Sequence, residues 1–281
     1  MIHLKAIAKI MGALLFLIGV LMLPAASISW IYQEDSSPIM ISAAISLFIG
    51  MVLFFSFSKQ DEFVRKREGY LIVALSWVVM TGFGMIPFII SKEVTSFADA
   101  LFETVSGFTT TGATILTDIE SMPKGLLFWR SMTHWIGGLG IIVLTVAIFP
   151  LLGIGGIELF VAESPGPTSD KVHPRISETA KRLWYIYVGL TALCALLYWA
   201  GGMTLFDAVN HSFATLATGG FSTKNSSLAY YDSAFIEYVA VFFMFLAVLH
   251  EPHGGGPEWV YRFHGNRFWA YAALMAYMVL T

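Results

Sequence analysis

Charge is scarce in this sequence: 12% of residues are Asp, Glu, Lys or Arg, against about 25% in soluble domains. The scarcity excludes a free-standing water-soluble globule. With 57% hydrophobic residues over 281 positions and a mean hydropathy of +0.72, most of the surface must face lipid. Cysteine is nearly absent too. The single Cys194 excludes a disulfide framework and a cysteine-based metal site, and its apolar surroundings point to a buried, inert thiol. The net charge of −3 decides little, because membrane orientation follows the placement of Lys and Arg and not their balance against acids.

What is abundant is long apolar runs. Crossing a bilayer takes about 20 residues, and runs of that kind fall near 7–32, 38–57, 69–91, 129–152, 180–201 and 234–249, with another beginning near 268. Basic residues sort with them. Lys5 and Lys9 precede the first, Lys59, Arg65, Lys66 and Arg67 follow the second, and Lys171, Arg175, Lys181 and Arg182 precede the fifth. The positive-inside rule therefore places these segments and the N-terminus in the cytoplasm, and Gln33 to Pro38 outside. The first run follows Lys5 and Lys9 without a persuasive cleavage site, so it reads as a retained helix and not as a signal peptide.

Between spans three and four, and again between five and six, the chain is too polar to cross and too apolar for an ordinary loop. The two intervals also repeat one pattern. Residues 97–114 align without a gap on 205–222: Asp99 falls on Asp207, Ala100 on Ala208, Thr110 on Thr218, Gly112 on Gly220, and the hydroxyl residue Thr114 on Ser222. Each reads as a half-helix running into a Thr/Gly loop, a re-entrant hairpin open to the outside. The C-terminal end of a helix carries partial negative charge, so each half-helix would favour a cation at its loop. Asp99 and Asp207 sit in first turns, where capping is the simpler reading and ion attraction the alternative. A dehydrated cation needs closely spaced oxygens, and irregular backbone at membrane depth is tolerated where it lines a cavity. Thr110, Thr111, Gly112, Thr218, Gly219 and Gly220 could supply these oxygens, with glycine allowing successive carbonyls to turn the same way.

At these residues the chain resembles the TrkH/KtrB family of potassium transporters, whose fold repeats a helix, pore helix, filter loop and helix four times. His134-Trp-Ile-Gly-Gly-Leu-Gly140, Ala162-Glu-Ser-Pro-Gly-Pro167 and Pro174-Arg-Ile176 match as well. The resemblance implies an all-α integral membrane protein with two extra transmembrane helices at 1–68. A first pore unit would follow at 69–152, a cytoplasmic connection at 153–179, and a second pore unit at 180–249. The start of a third would fall at 268–281, giving an incomplete set of two pore units out of four. It implies Thr110, Thr111 and Gly112 as one quarter of a potassium filter and Thr218, Gly219 and Gly220 as another. Potassium is then a substrate, and no cofactor is expected in this chain. The implied setting is a bacterial cytoplasmic membrane. The implied partners are a second copy and a cytosolic, nucleotide-binding TrkA-like subunit, with no nucleic acid.

Several residues carry readings of their own. Small residues at 137, 138 and 140 would let a neighbouring backbone approach; a dinucleotide-binding glycine motif would need a preceding strand, which the sequence lacks. Arg130 reads as an interfacial anchor in preference to a pore charge. Glu103, ionisable within a pore helix, is a functional candidate bonded to the filter backbone. Glu103 and His211 together raise the alternative of an intramembrane enzyme, although catalysis needs them convergent. Two prolines and three glycines interrupt the helical pattern after Leu249. Residues 250–267 read as an irregular segment, with His250, Glu251, His253 and His264 as a weak metal group. Codon choices exist over 248–267 that restore a helix end one nucleotide later, so the segment is a candidate frame shift. A non-conducting truncated or frame-shifted fragment is the alternative to a working transporter.

Overall fold

The computed structural model describes residues 4–57, 66–138, 140 and 173–250, and at 66–67, 173–182 and 248–250 it describes the backbone alone. The side chains of His250, Glu251, His253 and His264, the segment 251–281, the basic residues 59, 65 and 171, and most of the connection expected at 153–179 lie outside the description. Every regular element among the described residues is helical.

Helix α1 (Leu4–Ile31) and helix α2 (Ser37–Ser56) form an N-terminal pair. Their backbones touch because glycines face one another. A Cβ on Gly50 would stand 2.8 Å from the carbonyl oxygen of Gly12, and one on Gly12 would stand 2.7 Å from the amide of Phe54. Between them, Trp30 Nε1 donates to Ser36 Oγ at 2.7 Å, and Pro38 lies in the first turn of α2, where its missing N–H does no harm.

The third expected span is broken. Helix α3 (Lys66–Gly84) stops and helix α4 (Ile86–Ser91) restarts around Met85, with Pro87 at the restart. Proline cannot donate, and the next amide, Phe88 N, bonds back to Met85 O at 3.1 Å. Gly84 O is thereby free of its usual helical partner, and the indole Nε1 of Trp129 takes it at 2.9 Å. A side chain from another helix thus satisfies the break, as buried backbone requires.

Two short helices share one construction. Helix α5 (Phe97–Phe108) is capped by Ser96, whose hydroxyl accepts from Asp99 N at 3.4 Å. Helix α8 (Leu205–Leu216) is capped by Thr204, which accepts from Asp207 N at 3.1 Å. Between them come helix α6 (Lys124–Gly138) and helix α7 (His173–Ala200); a 3₁₀ turn (Ser227–Tyr231) and helix α9 (Ala234–His250) follow. α6 starts upstream of the expected 129 and α7 upstream of the expected 180. Hydropathy marks where a span enters lipid, whereas the helix continues into its polar flank.

Among the described residues, four helical stretches are long and apolar enough to cross a membrane: Leu4–Ile31, Ser37–Ser56, Glu68–Ser91 and Leu183–Ala200. One core joins α1, α3, α5 and α6 around Trp129, Phe108 and Met80. A second joins α7, α8 and α9 around Tyr198, Phe243 and Cys194. Cys194 is buried, as its apolar context predicts.

Candidate functional site

The Thr/Gly loops leave α5 and α8 by the same three turns. Thr109 N bonds to Val105 O, Thr110 N to Gly107 O and Thr111 N to Ser106 O; Ala217 N, Thr218 N and Gly219 N bond in step to Phe213 O, Thr215 O and Ala214 O. Backbone signs repeat with them. Thr110 (φ 53°) and Thr218 (φ 50°) are left-handed, and so, two residues on, are Gly112 (φ 75°) and Gly220 (φ 92°). A β-branched residue with positive φ is unfavourable and persists only where its surroundings over-determine it. Here the same strain stands at the same place twice.

The loops also meet. A Cβ on Gly112 would collide with the carbonyl oxygen of Gly219 and lie 3.4 Å from Gly220 Cα. Gly112, Gly219 and Gly220, from two repeats, therefore form one contact. Thr110 and Thr218 hold equivalent corners, while Thr111 turns its hydroxyl to Thr109 of its own loop at 2.8 Å. Thr111, Thr218 and Gly220 are exposed in this chain, whereas Gly219 is buried.

α6 stands behind both loops. Gly107 of α5 lies against Thr133, Gly137 of α6 against Phe108 O, and Gly138 against Ala217, so small residues bring α6 onto the ends of both short helices. The expected close approach at 137 and 138 is therefore to re-entrant backbone, with no strand or nucleotide motif involved. One turn earlier, the His134 ring packs on Gly219, stacks on Phe221 with centroids 3.9 Å apart, and accepts from Phe221 N at 3.4 Å.

Arg130 corrects the sequence reading. It is no interfacial anchor: it is 1% exposed, and its Nε donates to Glu103 Oε1 at 2.7 Å. Its Nη1 donates to Ser222 O at 3.1 Å, and its guanidinium lies 3.5 Å from the centre of the Phe221 ring. Glu103 also accepts from Thr114 Oγ1 at 2.9 Å and from Ile115 N at 3.0 Å, just past the first loop. The backbone bond it makes is therefore to Ile115, three residues past Gly112, and not to the filter residues for which it was expected.

His211 occupies the position of Glu103 in the second repeat, and its partner Ser222 occupies that of Thr114. His211 Nε2 lies 2.9 Å from Ser222 Oγ, and Nδ1 lies 2.8 Å from Asp207 O. A carbonyl only accepts, so Nδ1 carries a proton and donates to Asp207 O, while Nε2 and the Ser222 hydroxyl share the second hydrogen bond. Asp207 does more than face a helix dipole: its two oxygens accept from Thr204 Oγ1 at 2.8 Å and Thr223 Oγ1 at 2.6 Å, tying the loop back to the helix start. Asp99, its counterpart, is exposed. Glu103 and His211 thus serve separate loops and do not converge.

Sequence reasoning missed two further ties. Asn225 Oδ1 accepts from Ile119 N at 2.8 Å, and Asn225 Nδ2 donates to Asp118 at 3.4 Å, which clasps the exits of the two loops. The Asn225 side chain, followed by the Ser121 amide, holds the Asp118 carboxyl below the usual carboxylate range. Glu34, from the turn between α1 and α2, accepts from Lys124 N at 2.9 Å and Gly125 N at 3.2 Å. Its carboxylate sits on the positive end of α6.

The chain is thus a helical membrane protein in which two strained, glycine-bearing loops, each behind a short capped helix, are in contact. Residues 35–249 match the family model "TrkH: Cation transport protein", and the chain belongs to that family. It is 45% identical over 246 residues to the Trk system potassium uptake protein TrkH of Vibrio parahaemolyticus, covering 86% of this chain and 51% of that protein. Its identity to the Trk system potassium uptake protein TrkG of Escherichia coli K12 is 38% over 251 residues, 88% of this chain and 52% of that protein. The crystal structure of the potassium transporter TrkH from Vibrio parahaemolyticus superposes with a TM-score of 0.74 at 42% identity, over 87% of this chain and 50% of that one. The chain spans about half the length of the curated relatives it matches.

Proposed function

We propose that this chain carries two quarters of a potassium uptake path, in which Thr110, Thr111, Gly112, Thr218, Gly219 and Gly220 offer backbone and hydroxyl oxygens to the dehydrated ion. The observation that carries this reading is the repeated left-handed Thr and Gly in loops that touch at Gly112 and Gly219. Positive φ at alternate residues lets successive carbonyls turn to one side, which an ordinary extended strand does not allow. Buried groups behind the loops fix them, so oxygens are held in place before the ion arrives.

In this proposal the N-terminus lies in the cytoplasm of a bacterial cell, in the cytoplasmic membrane, and ions enter from outside past Asp118 and Asn225. The functional unit is a homodimer of complete pores on a nucleotide-binding, TrkA-like cytosolic subunit that docks near 59–67 and 170–182. The family's role in cation transport and the Trk potassium uptake relatives support potassium as the ion and argue against an enzyme.

Growth on limiting potassium in a strain lacking its own uptake systems tests the reading. One form is the 281-residue chain; the other joins residues 1–249 to the two remaining units of a Trk relative. Rescue by the joined form, lost on Gly112→Ser, is the expected result. Rescue by the joined form alone assigns the present chain to the non-conducting reading. A joined form that inserts in the membrane and takes up no potassium would overturn the proposal.

A further inference from the structure

Besides the Asn225 clasp and the packing of His134, one buried cation spans the two repeats. Arg130 belongs to the first repeat by sequence and pairs there with Glu103, the side chains being 2% and 0% exposed. Its Nη1 and its guanidinium face reach the second repeat, at Ser222 O and the Phe221 ring. Among the described residues the second repeat shows no equivalent buried ion pair. Its helix Ala234–His250 contains no lysine or arginine, and the Glu103 position is held by His211, whose ring bonds Asp207 O and Ser222 Oγ within its own repeat. The second loop therefore borrows a charged donor from the first.

We infer that Arg130 is a positioning residue that couples the two loops, so that the backbone of 217–222 depends on an ion pair made in the other repeat. Glu103 orients the guanidinium by taking Nε, which leaves Nη1 aimed at Ser222 O; the planar fork sets the spacing between the two partners. Ser222 closes the circuit, since its carbonyl accepts from Arg130, its hydroxyl accepts from Lys224 N, and the same hydroxyl is hydrogen-bonded to His211 Nε2. The second loop is thus held from the opposing sides of α6 and α8. The coupling deepens the proposed potassium path and rests on it only for the identity of the ion.

Hydrogen–deuterium exchange on the whole chain in lipid nanodiscs tests this without requiring transport. Arg130→Lys keeps a charge for Glu103 but has no fork to reach Ser222. It should raise amide exchange at 217–222 by about tenfold, the effect of losing one charged hydrogen bond, and leave 109–115 unchanged. Glu103→Gln touches no atom of the second loop, yet should loosen both loops. Unchanged exchange at 217–222 in both variants would overturn the coupling. Equal loosening of the loops and of the distant α1–α2 pair would do so too, since that is general destabilisation. Rb⁺ then separates this inference from the functional one. Protection of 109–112 and 218–220 by Rb⁺ over Na⁺, weakened in Arg130→Lys, is expected; its absence removes potassium ligation while the exchange result still decides the coupling.

Discussion

Gly112 lies directly against the carbonyl of Gly219, the same oxygen-bearing backbone on which the His134 ring packs from behind. The contact joins residues from two copies of one sequence pattern. It leaves no room for a side chain at 112, which distinguishes this glycine from its counterpart.

Gly112→Ala and Gly220→Ala should therefore differ. Both place a Cβ on a left-handed residue, at about 1–2 kcal/mol each, but a Cβ at 220 meets nothing within 4 Å whereas one at 112 strikes Gly219. Thermal unfolding in nanodiscs should show the larger loss for Gly112→Ala. Equal losses would mean that the loops do not touch.

Trp129→Phe keeps the buried ring and removes the donor that serves Gly84 O at the break between α3 and α4. An unsatisfied buried acceptor costs about 1–3 kcal/mol. Equilibrium unfolding of the two forms measures it, and a change below a few tenths would show that another donor serves the break.

Glu34→Ala should loosen the seat of the N-terminal pair on α6 by about 1–2 kcal/mol, since two amides lose a cap and the helix end loses its counter-charge. Glu34→Gln, which retains an acceptor but no charge, should fall between. Exchange at Lys124 and Gly125 reads both, and no ordering among the three forms would contradict the cap.

Asn225→Ala opens the clasp at Ile119 and Asp118. Limited proteolysis near 115–121 should accelerate several-fold. Asp118 titrates below the usual carboxylate range in the folded chain. Its stabilising share is therefore present above the ordinary carboxylate pKa and lost as pH falls through the depressed value. The acid sensitivity of cleavage should weaken in Asn225→Ala.

Glu103 was legible in the sequence because an ionisable group in a pore helix demands an explanation wherever its partner lies. Arg130 was not, although it sits in the same repeat. Its basic side chain near a helix start fits an interfacial anchor equally well, and its partners lie 27 and 92 residues away. Glu34 and Asn225 were hidden for the same reason, each bonding about 90 residues or more along the chain. The break at Met85 left only Pro87 as a trace, which marks a lost donor but not the indole that compensates for it.

By itself the sequence determined that this chain lies in a membrane, that apolar helices stand near 7–32, 38–57, 69–91 and 180–201, and that a Thr/Gly loop occurs twice behind matching half-helices. Those are local properties: apolar length sets what can cross lipid, and glycine sets where backbone can turn left-handed. Only the tertiary structure decided that the two loops touch, that α6 stands behind both, and that one arginine serves them together. A buried charge must find its counter-charge and acceptors through space, and no spacing along the chain says which residues the fold will bring within 3 Å.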